Sequence, residues 1–266
     1  MEVNGRGDGI ERVRGLGMRI VRIFHEGDCR YGLADDTTVT LISDEPFAAW
    51  ETEDVVPLAT AQLLPPVVPT KIVCVGINYR AHAQEMGHEL PKEPVIFLKP
   101  PTTMNGPGGD IVVPPTVGRI DYEAELAVVI GRRTHRVDVE EARTNIVGFT
   151  CGNDVTARDL QKIDGQWTRA KGFDGFCPIG PWVETDIDPT NLAIQSFVDG
   201  ELRQSSNTKD MIFDVYELVS FISSVMTLVP GDVVLTGTPS GIGPMEPGQT
   251  VEVRIEGIGS LINQVV

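Results

Sequence analysis

The run YEAELAVVIGRR, residues 122–133, governs how the rest of the chain is read. Glu123 and Glu125 fall on one parity, and Ala124 and Leu126 on the other. That alternation signals a β-strand, because successive side chains of a strand point to opposite faces. The two carboxylates therefore project together. Like charges side by side repel, and a cation between them removes that cost. Hard cations such as Mg²⁺ favour carboxylate oxygens. A bare Glu-x-Glu pair is also what the wet face of an edge strand displays, so the pair alone leaves both readings open.

Moving outward toward the C-terminus, VDVEEARTNI (137–146) has an acidic start and helical character, and IVGFTCGNDVTA (146–157) returns to strand. The latter carries a third carboxylate, Asp154, just past a glycine that permits close backbone approach. Three carboxylates would leave coordination positions for water and a chelating substrate. ARDLQKI (157–163) reads as a helical segment, and PWVETD, AIQSFVDGE, DVVLTGTP and TVEVRIEGIG as strands. Between them DVYELVSFISSVMTL (214–228) is the one long amphipathic helix. Its apolar positions Val215, Leu218, Val219, Ile222 and Val225 predict a core face.

Toward the N-terminus, KIVCVGINY (71–79) is an apolar β-type run, and RAHAQEMG (80–87) forms one or two helical turns ended by Gly87. VIFLKP and IVVPP are further strands, separated by the turn-rich MNGPGGD. From Met18, MRIVRIF alternates and YGLADDTTVTLI reads as a second strand after a turn. The proline-dense LLPPVVPT (63–70) cannot continue a helix or a central strand and reads as a linker. The expected organisation is a flexible extension at 1–17, a small β-rich domain at 18–65 and a larger catalytic domain at 66–266. The fold class is α+β, β-rich, with a curled sheet.

Composition narrows the function. Asp plus Glu number 38 against 22 Lys plus Arg, a formal net charge of −16 across 266 residues. Such a surface repels phosphate backbones, which argues against a nucleic-acid partner. It also means that an acidic substrate needs local positive charge at its site. No apolar run approaches the length of a membrane span, and the first residues lack the apolar core of a secretory signal, so a cytoplasmic, membrane-free protein is expected. Cys29, Cys74, Cys151 and Cys177 are scattered without a CxxC pair and read as thiols. His25, His82, His88 and His135 show no HExxH spacing, which disfavours a zinc hydrolase.

In this order, GINYRAHAQEMG, EPVIFLKPPTTMNGP, DYEAELAVVIG, GNDVTARDLQ, GQWTRAKGFDGFCPIGPW and LVPGDVVLTGTPSGIG resemble the fumarylacetoacetate hydrolase family. The resemblance runs from about Lys71 to the C-terminus, and the first seventy residues carry no part of it. It implies a mixed β-sandwich roll, a homodimer, and one divalent cation per subunit, Mg²⁺ or Mn²⁺, on Glu123, Glu125 and Asp154. It places a His–Glu pair on His82 and Glu85, and the site's Arg, Gln and Lys on Arg158, Gln161 and Lys171. Its TGTP turn falls on residues 236–239, with Thr238 contacting substrate. Many relatives carry Arg after the glycine of the GxNY motif, where this chain has Ile77. That change removes a positive contact and bears on substrate preference.

The activity so implied is metal-dependent chemistry on small 2-oxo acids. The leading expectation is hydrolysis of a C–C bond in an acylpyruvate or fumarylpyruvate, through a metal-stabilised enolate. His82 and Glu85, three apart on a helical turn, share a face, so Glu85 would orient His82 to take a proton from water. Isomerisation of a 2-hydroxyhepta-2,4-diene-1,7-dioate and decarboxylation of oxaloacetate use the same site and stay open. A catalytically silent, cation-binding dimer is the reading from a different class. Residues 80–94, polar and glycine-interrupted, are expected to act as a lid. Trp167 is expected to be packing, and His25, His88 and His135 to play no part in the site.

Overall fold

A computed structural model describes residues 19–87 and 89–266. The expected extension at 1–17 and His88 lie outside the described residues.

The strand at the centre of the opening stretch, Ala124–Ile130, is buried at all seven positions. It pairs antiparallel with Ile146–Asn153 on one side and with Val233–Leu235 on the other. Leu126, Val128 and Ile130 pack in one core cluster with Val219 and Ile222 of the helix Val215–Val225. Ala127 and Val129, on the opposite parity, pack in a second cluster with Val147, Ile179 and Val233. With layers on both faces this is a central strand. The edge-strand reading of the Glu-x-Glu pair therefore fails, and two carboxylates stand at the end of a fully buried strand.

The large sheet runs in the order Thr52–Pro57, Thr38–Ile42, Asp28–Ala34, Arg19–His25, Cys177–Glu184, Ile146–Asn153, Ala124–Ile130, Val233–Leu235, Ile72–Val75, Ile96–Lys99. The N-terminal strands extend this sheet, since Arg19–His25 pairs antiparallel with Cys177–Glu184. A three-stranded sheet joins Thr156–Ala157, Ile120–Tyr122 and Gly243–Met245. A five-stranded sheet holds Glu201–Asn207, Ala193–Val198, Thr250–Ile255, Gly259–Val265 and Asp110–Ile111. The architecture is strand-rich with short helices, a β-rich α+β fold.

Three expectations need correction. YGLADDTTVTLI is not one strand. It splits into Asp28–Ala34 and Thr38–Ile42 around a turn in which Asp35 Oδ1 accepts the Thr37 and Thr38 N–H groups. Val225 is not core. It is 58% exposed, because it is the last residue of the helix, past the point where the buried stripe ends at Ser223. Lys171 does not sit in a loop but ends the short helix Thr168–Lys171. The long helix begins as its sequence demands. Asp214 accepts the Tyr216 and Glu217 N–H groups, and Glu217 returns a bond to the Asp214 N–H. Among the described residues no helix is long and apolar enough to cross a membrane.

Candidate active site

The strand carrying the carboxylates is interrupted at Glu123, between Ile120–Tyr122 and Ala124–Ile130. Side chains replace the ladder there. Asn153 Oδ1 accepts the Glu123 N–H at 2.9 Å, and Gln204 Oε1 accepts the Ala124 N–H at 3.0 Å. The Asp154 N–H donates to the Glu123 carbonyl at 2.9 Å, drawing the third carboxylate up to the first. One ligand oxygen from each of Glu123, Glu125 and Asp154 can be chosen so that all lie within 4.8 Å of one another, and all three residues are buried. Glu125 Oε2 accepts the Gly237 N–H at 2.7 Å. Gly237 has φ +93°, and a Cβ there would stand 2.8 Å from Asn78 Cβ, so the TGTP turn can approach only with glycine at this position.

Three cations answer these carboxylates directly, and a fourth, Arg119, does so through Asp121. Lys171 Nζ donates to Glu123 Oε2 at 2.7 Å and to Asp154 Oδ2 at 2.6 Å. Lys99 Nζ donates to Asp154 Oδ1 at 2.6 Å and to the Val155 carbonyl at 3.1 Å. Arg158 donates to Asp121 Oδ2 at 2.8 Å, to Glu123 Oε1 at 2.5 Å and to Gln161 Oε1 at 2.6 Å. Arg119, half-exposed at the rim, holds Asp121 from outside through Nε at 2.6 Å and Nη2 at 3.0 Å.

Burial alone would push the Glu123 carboxyl up, but Lys171 and Arg158 overcome it and hold it down at about 2. For Lys171 burial favours loss of the proton, yet Asp154 and Glu123 win and raise its pKa. Glu125 goes the other way. Burial, then the charges of Asp154 and Glu123, push its pKa well above the usual carboxylate range, with Lys171 and the Gly237 N–H opposing.

The donors are all carboxylate oxygens, close together and buried, and Glu125 is disfavoured as an anion unless a cation arrives. The residues fit a hard divalent ion. Asp121, Glu123 and Asp154 are paired with Lys99, Arg158 and Lys171 inside the cluster and with Arg119 at its rim.

Beside the cluster lies a cavity of about 380 Å³, lined by Glu123, Arg158, Gln161, Lys171 and His82, with an apolar side of Ile77, Met86, Val95, Phe97 and Trp167. His82, on the helix Arg80–Glu85, is buried, and its Nδ1 lies 2.9 Å from Glu85 Oε2. Glu85 Oε1 accepts the Gly241 N–H at 3.0 Å, which docks the segment expected to be a lid. The Nδ1 contact leaves the other ring nitrogen for the cavity. A larger cavity of about 770 Å³ lies alongside, next to Thr70, Pro100 and Gln166.

Eight of the nine residues singled out from sequence are thus joined by direct contacts, by the carboxylate cluster or by the cavity wall. Thr238 stands apart. Its hydroxyl donates to the Ala124 carbonyl and accepts from Gln204 Nε2, fastening the TGTP turn to the carboxylate strand. Sequence reading missed Asp121 and Lys99. Asp121 shares the parity of Glu123 and Glu125, and Lys99 closes an otherwise apolar run. Both signals were present.

Fold and site together define a class: a strand-rich domain whose buried cluster of carboxylates and lysines lies beside a cavity lined by Glu123, Lys171 and His82. The chain belongs to the fumarylacetoacetate hydrolase family, its residues 71–266 matching the fumarylacetoacetate (FAA) hydrolase C-terminal model. Residues 18–66 match the Rv2993c-like N-terminal model. The chain is 47% identical over 266 residues to Protein Rv2993c of Mycobacterium tuberculosis, covering 94% of this chain and 98% of that one. It is 44% identical over 225 residues to oxaloacetate tautomerase FAHD2B, mitochondrial, of Bos taurus, covering 80% of this chain and 72% of the relative. Among solved structures, 2-hydroxyhepta-2,4-diene-1,7-dioate isomerase from Mycobacterium marinum superposes with a TM-score of 0.88 at 46% identity, over 94% of this chain and 98% of that one.

Proposed function

We propose that this protein is a divalent-metal-dependent enzyme that moves a proton at the carbon next to the keto group of a small anionic 2-oxo acid, an isomerisation or keto–enol tautomerisation. The observation that carries the reading is that His82, held by Glu85, opens on the same cavity as Glu123, Arg158 and Lys171. The names of two relatives, an oxaloacetate tautomerase and a dienedioate isomerase, support the same class of step.

Glu123, Glu125 and Asp154 would hold the ion, Mg²⁺ or Mn²⁺, which when bound supplies Lewis-acid charge beside the substrate's carboxylate and keto oxygens. Arg158 and Lys171 bring positive charge to the inner end of the cavity and orient the carboxylate. His82 takes the proton from the adjacent carbon and returns it, with Glu85 fixing the ring. Phe97 and Met86 lie on the apolar side of the cavity and keep bulk water from that carbon.

Hydrolysis of a C–C bond in an acylpyruvate or fumarylpyruvate is the second reading. It would use the same pair, with His82, oriented by Glu85, taking its proton from water. Decarboxylation of oxaloacetate would use only the metal and cation side of the site. A homodimer belongs to the proposal and is checked by light scattering.

The test follows the enol absorbance of oxaloacetate with Mg²⁺ and assays acylpyruvates and a 2-hydroxy-dienedioate in parallel. Proton exchange on a keto acid that His82→Asn lowers by about a hundredfold or more supports the proposal. Wild-type turnover of none of these compounds would overturn it, and acylpyruvate cleavage alone would replace it by hydrolysis.

A further inference from the structure

The 380 Å³ and 770 Å³ cavities share three wall residues, Val95, Phe97 and Trp167. Trp167 immediately precedes the helix Thr168–Lys171, and its carbonyl accepts the Lys171 N–H at 2.9 Å. The element that delivers the lysine to the carboxylates therefore also fixes the indole. The ring lies edge-on to Phe97, with centroids 5.1 Å apart and planes at 80°. Lys171 Nζ in turn sits 5.2 Å from the Phe97 ring centroid.

Beyond Phe97 the indole reaches Gly76, at the end of the strand Ile72–Val75. A Cβ built on Gly76 would stand 2.7 Å from Trp167 Cζ3 and 2.8 Å from Cη2, closer than real side chains approach. Gly76 does not occupy the left-handed region, so the backbone there does not require glycine. The space does.

Resting on the 2-oxo-acid reading above, we propose that the Trp167 indole is the end wall of the substrate cavity and limits the length of the substrate's tail, with Gly76 left bare to seat the ring. The chelating end of the substrate lies at Glu123, Arg158 and Lys171, and its tail runs along Val95 and Phe97 toward the indole. Removing the ring joins the site to the larger cavity, whose shared wall is apolar. Trp167 is then a specificity residue, and its role shows as a dependence on tail length.

The experiment is calorimetric titration of the Mg²⁺-loaded protein with oxalate and with N-alkyl oxamates from methyl to hexyl. In the wild type, affinity falls about tenfold once the tail meets the wall. In Trp167→Ala the fall disappears, and affinity rises about fourfold per added methylene beyond that point. Trp167→Phe shifts the cut-off to a slightly longer tail. Oxalate, which has no tail, binds all three proteins alike. The same length profile in wild type and Trp167→Ala, with oxalate binding retained, overturns the wall. If Trp167→Ala loses oxalate binding too, Trp167→Phe decides: a shifted cut-off supports the wall and an unshifted one overturns it. Failure of oxalate to bind the wild type would instead sink the site reading and the wall with it.

Discussion

Asp121 is the residue through which the buried charge network is most directly tested without any substrate. It is fully buried and receives three N–H donors, one from Arg158 and two from Arg119. Asp121→Asn keeps the shape but removes the charge and turns an amide toward the guanidinium groups. The Arg119 side chain is 46% exposed, so its part is worth only about 0.5 kcal/mol. Arg158 is 5% exposed and keeps Glu123 and Gln161 as partners, so the loss sits near the lower end for a broken buried pair, about 3 kcal/mol. In a chain of this size that lowers Tm by roughly 6–12 °C. The assay is urea and thermal unfolding of chelator-treated protein, which keeps ion binding out of the comparison, with Arg119→Ala as the surface control. A loss below about 1 kcal/mol for Asp121→Asn, or an equal loss for Arg119→Ala, would refute the claim that Asp121 holds Arg158 in the site.

Two further outcomes follow from packing and burial. Ile222→Ala should cost about 3 kcal/mol in urea unfolding, because Ile222 is fully buried, whereas Val225→Ser should change stability by less than about 0.5 kcal/mol. Under native conditions Cys29, the exposed thiol, should react with a thiol reagent while Cys74, Cys151 and Cys177 stay silent until unfolding. Burial pushes the Cys177 thiol up to about 12 from an ordinary 9.0. Its unfolded form therefore ionises first, so stability should fall as pH rises from 9 toward 12, and Cys177→Ala should flatten part of that slope.

What was legible in the sequence is what short-range pattern encodes. The alternation around Glu123 and Glu125 gave a strand with both carboxylates on one side, and the stripe of the long helix gave its buried face. The rest depends on partners far along the chain. The interruption at Glu123 is made by Asn153 and Gln204, respectively 30 and 81 positions away, and neither announces that role locally. Periodicity places Val225 on the apolar stripe but cannot say where the sheet beneath it ends. Burial on both faces of Ala124–Ile130 likewise comes from layers that no local pattern contains. Asp121 and Lys99 were visible as residues, but their partners Arg158 and Asp154 meet them only in the folded chain. The relation of Trp167 to Gly76 is of the same kind, since two residues 91 apart share one volume.

The most direct measurement of whether Glu123, Glu125 and Asp154 form one ion site is a Mn²⁺ titration followed by electron paramagnetic resonance, comparing wild type with Glu125→Gln. One bound ion per chain in the wild type, displaced by Mg²⁺ and weakened by at least about a hundredfold in the folded variant, is the outcome expected. Unchanged Mn²⁺ binding in Glu125→Gln, or no bound ion in the wild type, would contradict it.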